Sequence, residues 1–110
     1  ELFGRAFEHV IFQDLKAHSH YSGQHYPLSY WRTTSGFEVD FILGDHEVAI
    51  EVKGVPQVQS HHLKGLCAFQ TDYKPRKAYV VSLDQRPRRV GEIDILPAHI
   101  FLERLWSNSL

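Results

Sequence analysis

Apolar residues in the first stretch of the chain recur at helical spacing. Leu2, Phe3, Ala6, Phe7, Val10, Ile11 and Leu15 fall mostly on one side, which predicts a helix over residues 2–18. His18-Ser19-His20-Tyr21-Ser22-Gly23 ends it. The pattern then changes to short runs rich in β-branched and aromatic residues. Residues 28–34 (LSYWRTT), 37–43 (FEVDFIL) and 47–53 (EVAIEVK) predict three strands, joined by turns at Ser35-Gly36 and Gly44-Asp45 into an antiparallel meander. Gly54-Val55-Pro56 breaks the pattern. Residues 57–73 predict a second helix with Val58, Leu63, Leu66, Cys67 and Phe69 buried. Residues 76–83 (RKAYVVSL) are almost continuously apolar and predict a central strand covered on both faces. A basic loop, 84–89 (DQRPRR), leads to a short edge strand at 90–96 and a last helix at 97–106, with Pro97 suited to its first turn. The order α-β-β-β-α-β, then a short strand and a helix, predicts an α/β (α+β) domain with helices on both sides of a mixed sheet.

A length of 110 residues holds one domain and one core. With 43% hydrophobic and 23% charged residues the composition is that of a globular chain, which excludes disorder for its bulk. A net charge of −1 excludes a polycationic tail as a source of affinity, but leaves room for a local basic patch. Eight histidines make the charge more positive below about pH 6.5. Cys67 is the only cysteine, so there is no intrachain disulfide and no Cys-type zinc site, which fits a cytoplasmic protein. No apolar run approaches the ~20 residues of a membrane span, and no signal peptide is visible. The sequence begins at Glu1 and contains no methionine, and is read as a piece of a longer protein.

The chemistry lies where carboxylates interrupt strands. Val39, Phe41 and Leu43 alternate with Glu38 and Asp40; Val48, Ile50 and Val52 alternate with Ala49, Glu51 and Lys53. A hairpin loop with an even number of residues brings the charged sets to one face; a two-residue Gly44-Asp45 loop would pair Asp40 with Ala49 and Glu38 with Glu51. An odd loop separates them. Two carboxylates about 5 Å apart repel by on the order of 3 kcal/mol at an effective dielectric of about 20. Their pKa values then rise or a cation neutralises them. Hard oxygen ligands favour Mg²⁺ or Mn²⁺, and Asp40, Glu51 and the Val52 carbonyl can form one side of such a site. Lys53 adds one positive charge. Glu8, at the edge of the first helix's apolar stripe, can lean over the sheet; Asp14, nearer the middle of that stripe, competes with it. Alternation alone equally describes a polar, solvated sheet face.

Glu38-Val39-Asp40, followed eleven residues after Asp40 by Glu51-Val52-Lys53, resembles the PD-(D/E)XK (restriction-endonuclease-like) nuclease superfamily, as does the element order. Glu8, after Gly4 and Phe7, is similar to the extra helical acid of its Holliday-junction-resolvase-like branch. More narrowly, Gly4 to Glu8, Trp31-Arg32-Thr33, Glu38 to Phe41, Glu51 to Lys53, Leu96-Pro97 and Phe101-Leu102 resemble the C-terminal domain of unknown function attached to AAA-type ATPases of bacteria and archaea. The resemblance spans essentially all 110 residues. It implies a single nuclease-like domain over 1–110, from the C-terminal part of a longer ATPase. Asp40 and Glu51 are implied as metal ligands, Glu8 as a further ligand, direct or through water, and Lys53 as the group that positions the attacking water. Val39 stands where the superfamily's usual motif has proline. No G-x-x-x-x-G-K-[ST] loop occurs, so the ATPase itself is not in this sequence.

The expected function is Mg²⁺- or Mn²⁺-dependent hydrolysis of DNA phosphodiesters. The alternative is a non-catalytic module that binds DNA or a partner, or packs against its ATPase. Arg32, Lys74, Arg76, Lys77, Arg86, Arg88 and Arg89 are candidate phosphate contacts, or solvated loop charge. Trp31 reads as a packed sheet-edge aromatic. His61-His62 and His18-x-His20 invite a transition metal, but adjacent histidines do not share a helix face, so zinc is set aside. Cys67 is expected to bury as a small hydrophobe. The expected partners are DNA and the parent ATPase, with no membrane and with a homo-oligomer allowed.

Overall fold

The computed structural model describes residues 2–110. Helix α1 (Leu2–Tyr21) is followed by strands β1 (Leu28–Arg32), β2 (Glu38–Leu43) and β3 (Val48–Val52). A 3-10 turn (Ser60–Leu63) leads into α2 (Lys64–Tyr73); then come β4 (Lys77–Ser82), β5 (Arg88–Val90), β6 (Ile93–Pro97) and α3 (Ala98–Trp106). The six strands form one mixed sheet in the order β1-β2-β3-β4-β6-β5. β1, β2 and β3 are the antiparallel meander, and β4 runs parallel to both β3 and β6.

Two apolar cores sandwich the sheet. Ile11 and Leu15 of α1 and Phe101 and Leu105 of α3 cover one face, against Phe41, Leu43, Ile50, Tyr79 and Val81. Leu66 and Phe69 of α2 cover the other, against Ile42, Ala49, Ala78, Val80 and Ile95. Residues 78–82 of β4 are all buried, as a strand with parallel neighbours on both sides and helices on both faces requires. Trp31 meets Phe69 edge-on at 5.3 Å between ring centres, a packed aromatic on the sheet.

Three expectations are corrected. The single edge strand at 90–96 is two strands: Gly91, at φ +57°, turns the chain so that β5 pairs antiparallel with β6 and becomes the edge, while β6 lies inside. Cys67 is exposed. The chain from 60 to 63 is a 3-10 turn, so Leu63, Leu66 and Phe69 make the buried stripe and Cys67 is rotated off it. Val39 does not share a face with Phe41 and Leu43. It packs with Ile42 and Ala49 in the core under α2, because β2 carries a bulge.

α2 approaches the start of β2 closely enough to dictate a glycine. A Cβ on Gly65 would lie 2.1 Å from the backbone oxygen of Glu38. Gly65→Ala is therefore expected to destabilise by about 1–3 kcal/mol, the cost of overpacking, instead of gaining the ~1 kcal/mol that alanine usually brings to a helix. A urea midpoint equal to or above that of the wild type would contradict this contact.

Candidate functional site

The loop between β2 and β3 has four residues, with Leu43 opposite Val48 and Phe41 opposite Ile50. An even loop was the condition for bringing the charged residues together, but its length brings Asp40 level with Glu51 instead of Ala49. On the other side of β2, Ser29 faces Ile42 while Trp31 faces Val39. Two steps along β1 match three along β2, so an extra residue sits at Asp40-Phe41. Such a bulge bends the strand and re-aims a side chain.

Beyond Phe41 and Ile50 the carboxylates take over the hydrogen bonding between the strands. The Asp40 backbone N–H donates to Glu51 Oε1 at 3.1 Å, and the Val52 N–H donates to Asp40 Oδ2 at 2.8 Å. Each acid is thus held by the backbone of the opposite strand, and the two carboxyl groups face one another. Lys53 Nζ lies 3.4 Å from Glu51 Oε2. The Glu51 side chain is buried, and burial, then the Asp40 charge, push its pKa up to about 8, with Lys53 pulling the other way.

Glu8 arrives from α1. Its pKa is raised by burial first, then by Asp40 and Glu38, against the lowering pull of Lys53 and Arg32. A cleft of about 210 Å³ lies on the Glu8 side of Asp40, lined by Glu8, Tyr30, Arg32, Glu38 and Asp40. Asp14, the competing acid, accepts a hydrogen bond from Trp106 Nε1 at 3.0 Å and belongs to the α1–α3 contact. Among the described residues, no group of three or more His, Cys, Asp or Glu side chains is placed to hold a metal ion. The converging pair is Asp40 and Glu51, with Glu8 standing back.

The basic residues are dispersed. Arg32 lies in the cleft, 3.4 Å from Glu38 and over the Tyr30 ring. Arg76 and Lys77 are at the start of β4, beside Val48, and so at the opposite end of the sheet from Lys53. Arg76 donates to the Leu110 carbonyl and Lys77 lies 3.9 Å from Asp94. Arg88 is paired with Asp84, and Arg89 with Glu92 and Asp94. Arg86 and Lys74 are exposed. His18 is buried, with hydrogen bonds to Tyr26 and Asn108 at 3.0 and 2.7 Å, a packing role.

Sequence reasoning passed over Tyr30, which lines the cleft, and counted Glu38 with the charged face without pairing it with Arg32. Glu38 and Arg32 face one another across the β1–β2 hairpin, and that cross-strand charge pair was the available signal. No helix among the described residues is long and apolar enough to cross a membrane. A family model described as "Domain of unknown function (DUF4143)" matches residues 3–101. No curated protein and no solved structure matches the chain.

Proposed function

We propose that this chain, which belongs to the family "Domain of unknown function (DUF4143)", is a divalent-metal-dependent DNA nuclease domain of the PD-(D/E)XK type, working as part of an AAA-type ATPase. One observation carries the reading. Asp40 and Glu51 are braced against each other by the opposing backbone at the open end of a hairpin, with the Lys53 ammonium at 3.4 Å. A fold that stabilised itself would not bury a second carboxylate against the first. The arrangement costs stability, and a bound cation offsets that cost.

The donors suit Mg²⁺ or Mn²⁺. Two carboxylates and the nearby Val52 carbonyl are hard oxygen ligands, and Mg²⁺ keeps several waters when only one or two carboxylates hold it. Glu51, whose pKa is raised to about 8 by burial and then by the Asp40 charge, is well placed to exchange its proton for a cation. Glu8 is suited to act through water. The chemistry a cation supplies is a lowered pKa for water and charge compensation on phosphoryl oxygens. Lys53 is held in place by Glu51 and leaves N–H donors to orient a water and to meet charge developing on the phosphate.

The second reading is a nuclease-like module that binds DNA or its ATPase without cutting. It is favoured by the lack, among the described residues, of a third converging protein ligand and by the engagement of Arg88 and Arg89 in local ion pairs. Nicking of supercoiled plasmid in Mn²⁺, by this chain and by the full-length protein with ATP, separates the two. Metal-dependent nicking supports the enzyme, and its absence on duplex, branched and single-stranded DNA supports the module.

A further inference from the structure

Strand β1 carries an aromatic ring that neither core uses. Side chains alternate along the strand, and Leu28 packs into the core under α1. Tyr30 and Arg32 share that face, on the outermost strand of the sheet. The helix does not cover them: Tyr30 is 67% exposed, whereas Trp31 on the opposite face packs against Phe69 of α2. Tyr30 lines the same cleft as Asp40.

Its surroundings are aromatic and cationic. The Arg32 guanidinium lies over the Tyr30 ring, 5.1 Å from its centre. The ion pair of Arg32 with Glu38 uses Nε and leaves the terminal N–H groups for an anion. A second hollow, of about 290 Å³, shares Glu8 and Phe41 with the cleft and is lined further by Arg5, His9 and Phe12. There the Phe12 and Phe41 rings stack with their centres 6.0 Å apart.

Aromatic faces beside arginines suit unpaired bases and the phosphates that join them. A base inside a duplex is covered on both faces by its neighbours and has none left for a side chain until it leaves the stack. The remaining cations do not make a surface for a duplex either. Lys77, Arg88 and Arg89 are in local ion pairs, and Arg76 is at the opposite end of the sheet. We infer that the site takes single-stranded DNA, with an unpaired base stacked on Tyr30 next to the phosphodiester held at Asp40. The inference rests on the reading that the Asp40–Glu51 pair works on a DNA phosphodiester, and narrows its substrate to an unpaired strand. Negatively supercoiled plasmid remains a substrate, because supercoiling favours local unpairing.

Binding of a fluorescein-labelled oligonucleotide, alone or annealed to its complement, is measured by anisotropy with Ca²⁺ in place of Mn²⁺, with thermal melting of each protein alongside. The wild type is expected to bind the single strand at least about fivefold more tightly than the duplex, the low end of what one base–aromatic stack contributes. Tyr30→Leu keeps an apolar side chain at the exposed position and removes the ring. It is expected to melt like the wild type, to bind the single strand at least about fivefold more weakly, and to bind the duplex within about twofold of the wild type. Tyr30→Phe keeps the ring face and is expected to bind the single strand within about twofold of the wild type. The inference is overturned if the wild type binds neither form or binds the duplex as tightly, if Tyr30→Leu holds the single strand like the wild type, if its loss follows a lowered melting temperature, or if Tyr30→Phe loses as much. If the preference and its loss in Tyr30→Leu are seen but Mn²⁺ elicits no cleavage, the contact stands and the nuclease reading falls. If Mn²⁺ elicits equal cleavage of both forms by wild type and Tyr30→Leu, the nuclease reading stands and this inference falls.

Discussion

Lys53→Ala is expected to reduce metal-dependent cleavage by at least about 10²-fold, the usual consequence of removing one group that stabilises developing charge. The ammonium is 3.4 Å from Glu51 Oε2 and follows the last residue of β3, so it is held at the edge of the carboxylate pair. Its loss has a second, smaller effect. Glu51 keeps Asp40 as a neighbour but loses the nearby positive charge that opposes it, so the metal-free protein becomes modestly less stable above neutral pH. DNA binding loses one cation, visible as a salt slope shallower by about 1 unit. A Lys53→Ala protein that cuts as fast as the wild type would remove lysine from the mechanism.

Asp40→Asn is expected to abolish stabilisation by metal while making the metal-free protein more stable. The asparagine oxygen can still accept the Val52 N–H, so the bracing of the strands survives and only the charge is lost. Relief of repulsion between the pair is worth on the order of 1–3 kcal/mol at an effective dielectric of about 20. In the wild type, a cation at a hundred times its Kd adds about 2.7 kcal/mol by binding only the folded state, a rise in Tm on the order of 10 °C. Equal shifts in Mn²⁺ for wild type and Asp40→Asn would show that the metal binds elsewhere. The pH dependence follows from the same pair. Glu51 titrates near 8 when folded and at its ordinary 4.5 when unfolded. Between those values the folded chain holds a proton that the unfolded chain releases. The contribution is therefore fully present below about pH 4.5 and is lost as pH rises toward 8. Asp40→Asn flattens that loss without removing it, because burial is the larger cause. Denaturant titrations of the two proteins across this range give the comparison.

The order of elements was legible because the alternation in residues 37–43 and 47–53 and the apolar run in 76–83 leave little choice of structure. The acids were legible for the same reason: Asp40 and Glu51 interrupt strands whose other residues, Glu38 apart, are buried. The bulge at Asp40-Phe41 was not, since neither glycine nor proline marks it and only pairing with β1 reveals it. That bulge moves Val39 to the other core and lets Asp40 reach the Val52 N–H, a geometry that strict alternation does not contain. Loop length was misjudged because His46 adopts φ +58°, a conformation that the turn preference of Gly44-Asp45 did not foretell. Cys67 was placed inside because the 3-10 turn before α2 changes the phase of the helix, and residues 57–73 read as one uninterrupted period.

The central claim is that the Asp40–Glu51 pair is a metal-dependent phosphodiesterase site. Conversion of supercoiled plasmid to open circles by the full-length protein in Mn²⁺, run beside EDTA and beside Asp40→Asn, tests it most directly. The account predicts nicking in Mn²⁺ alone, abolished by EDTA and by the substitution. Nicking that persists in Asp40→Asn, or no nicking of any DNA form by the wild type, would contradict it.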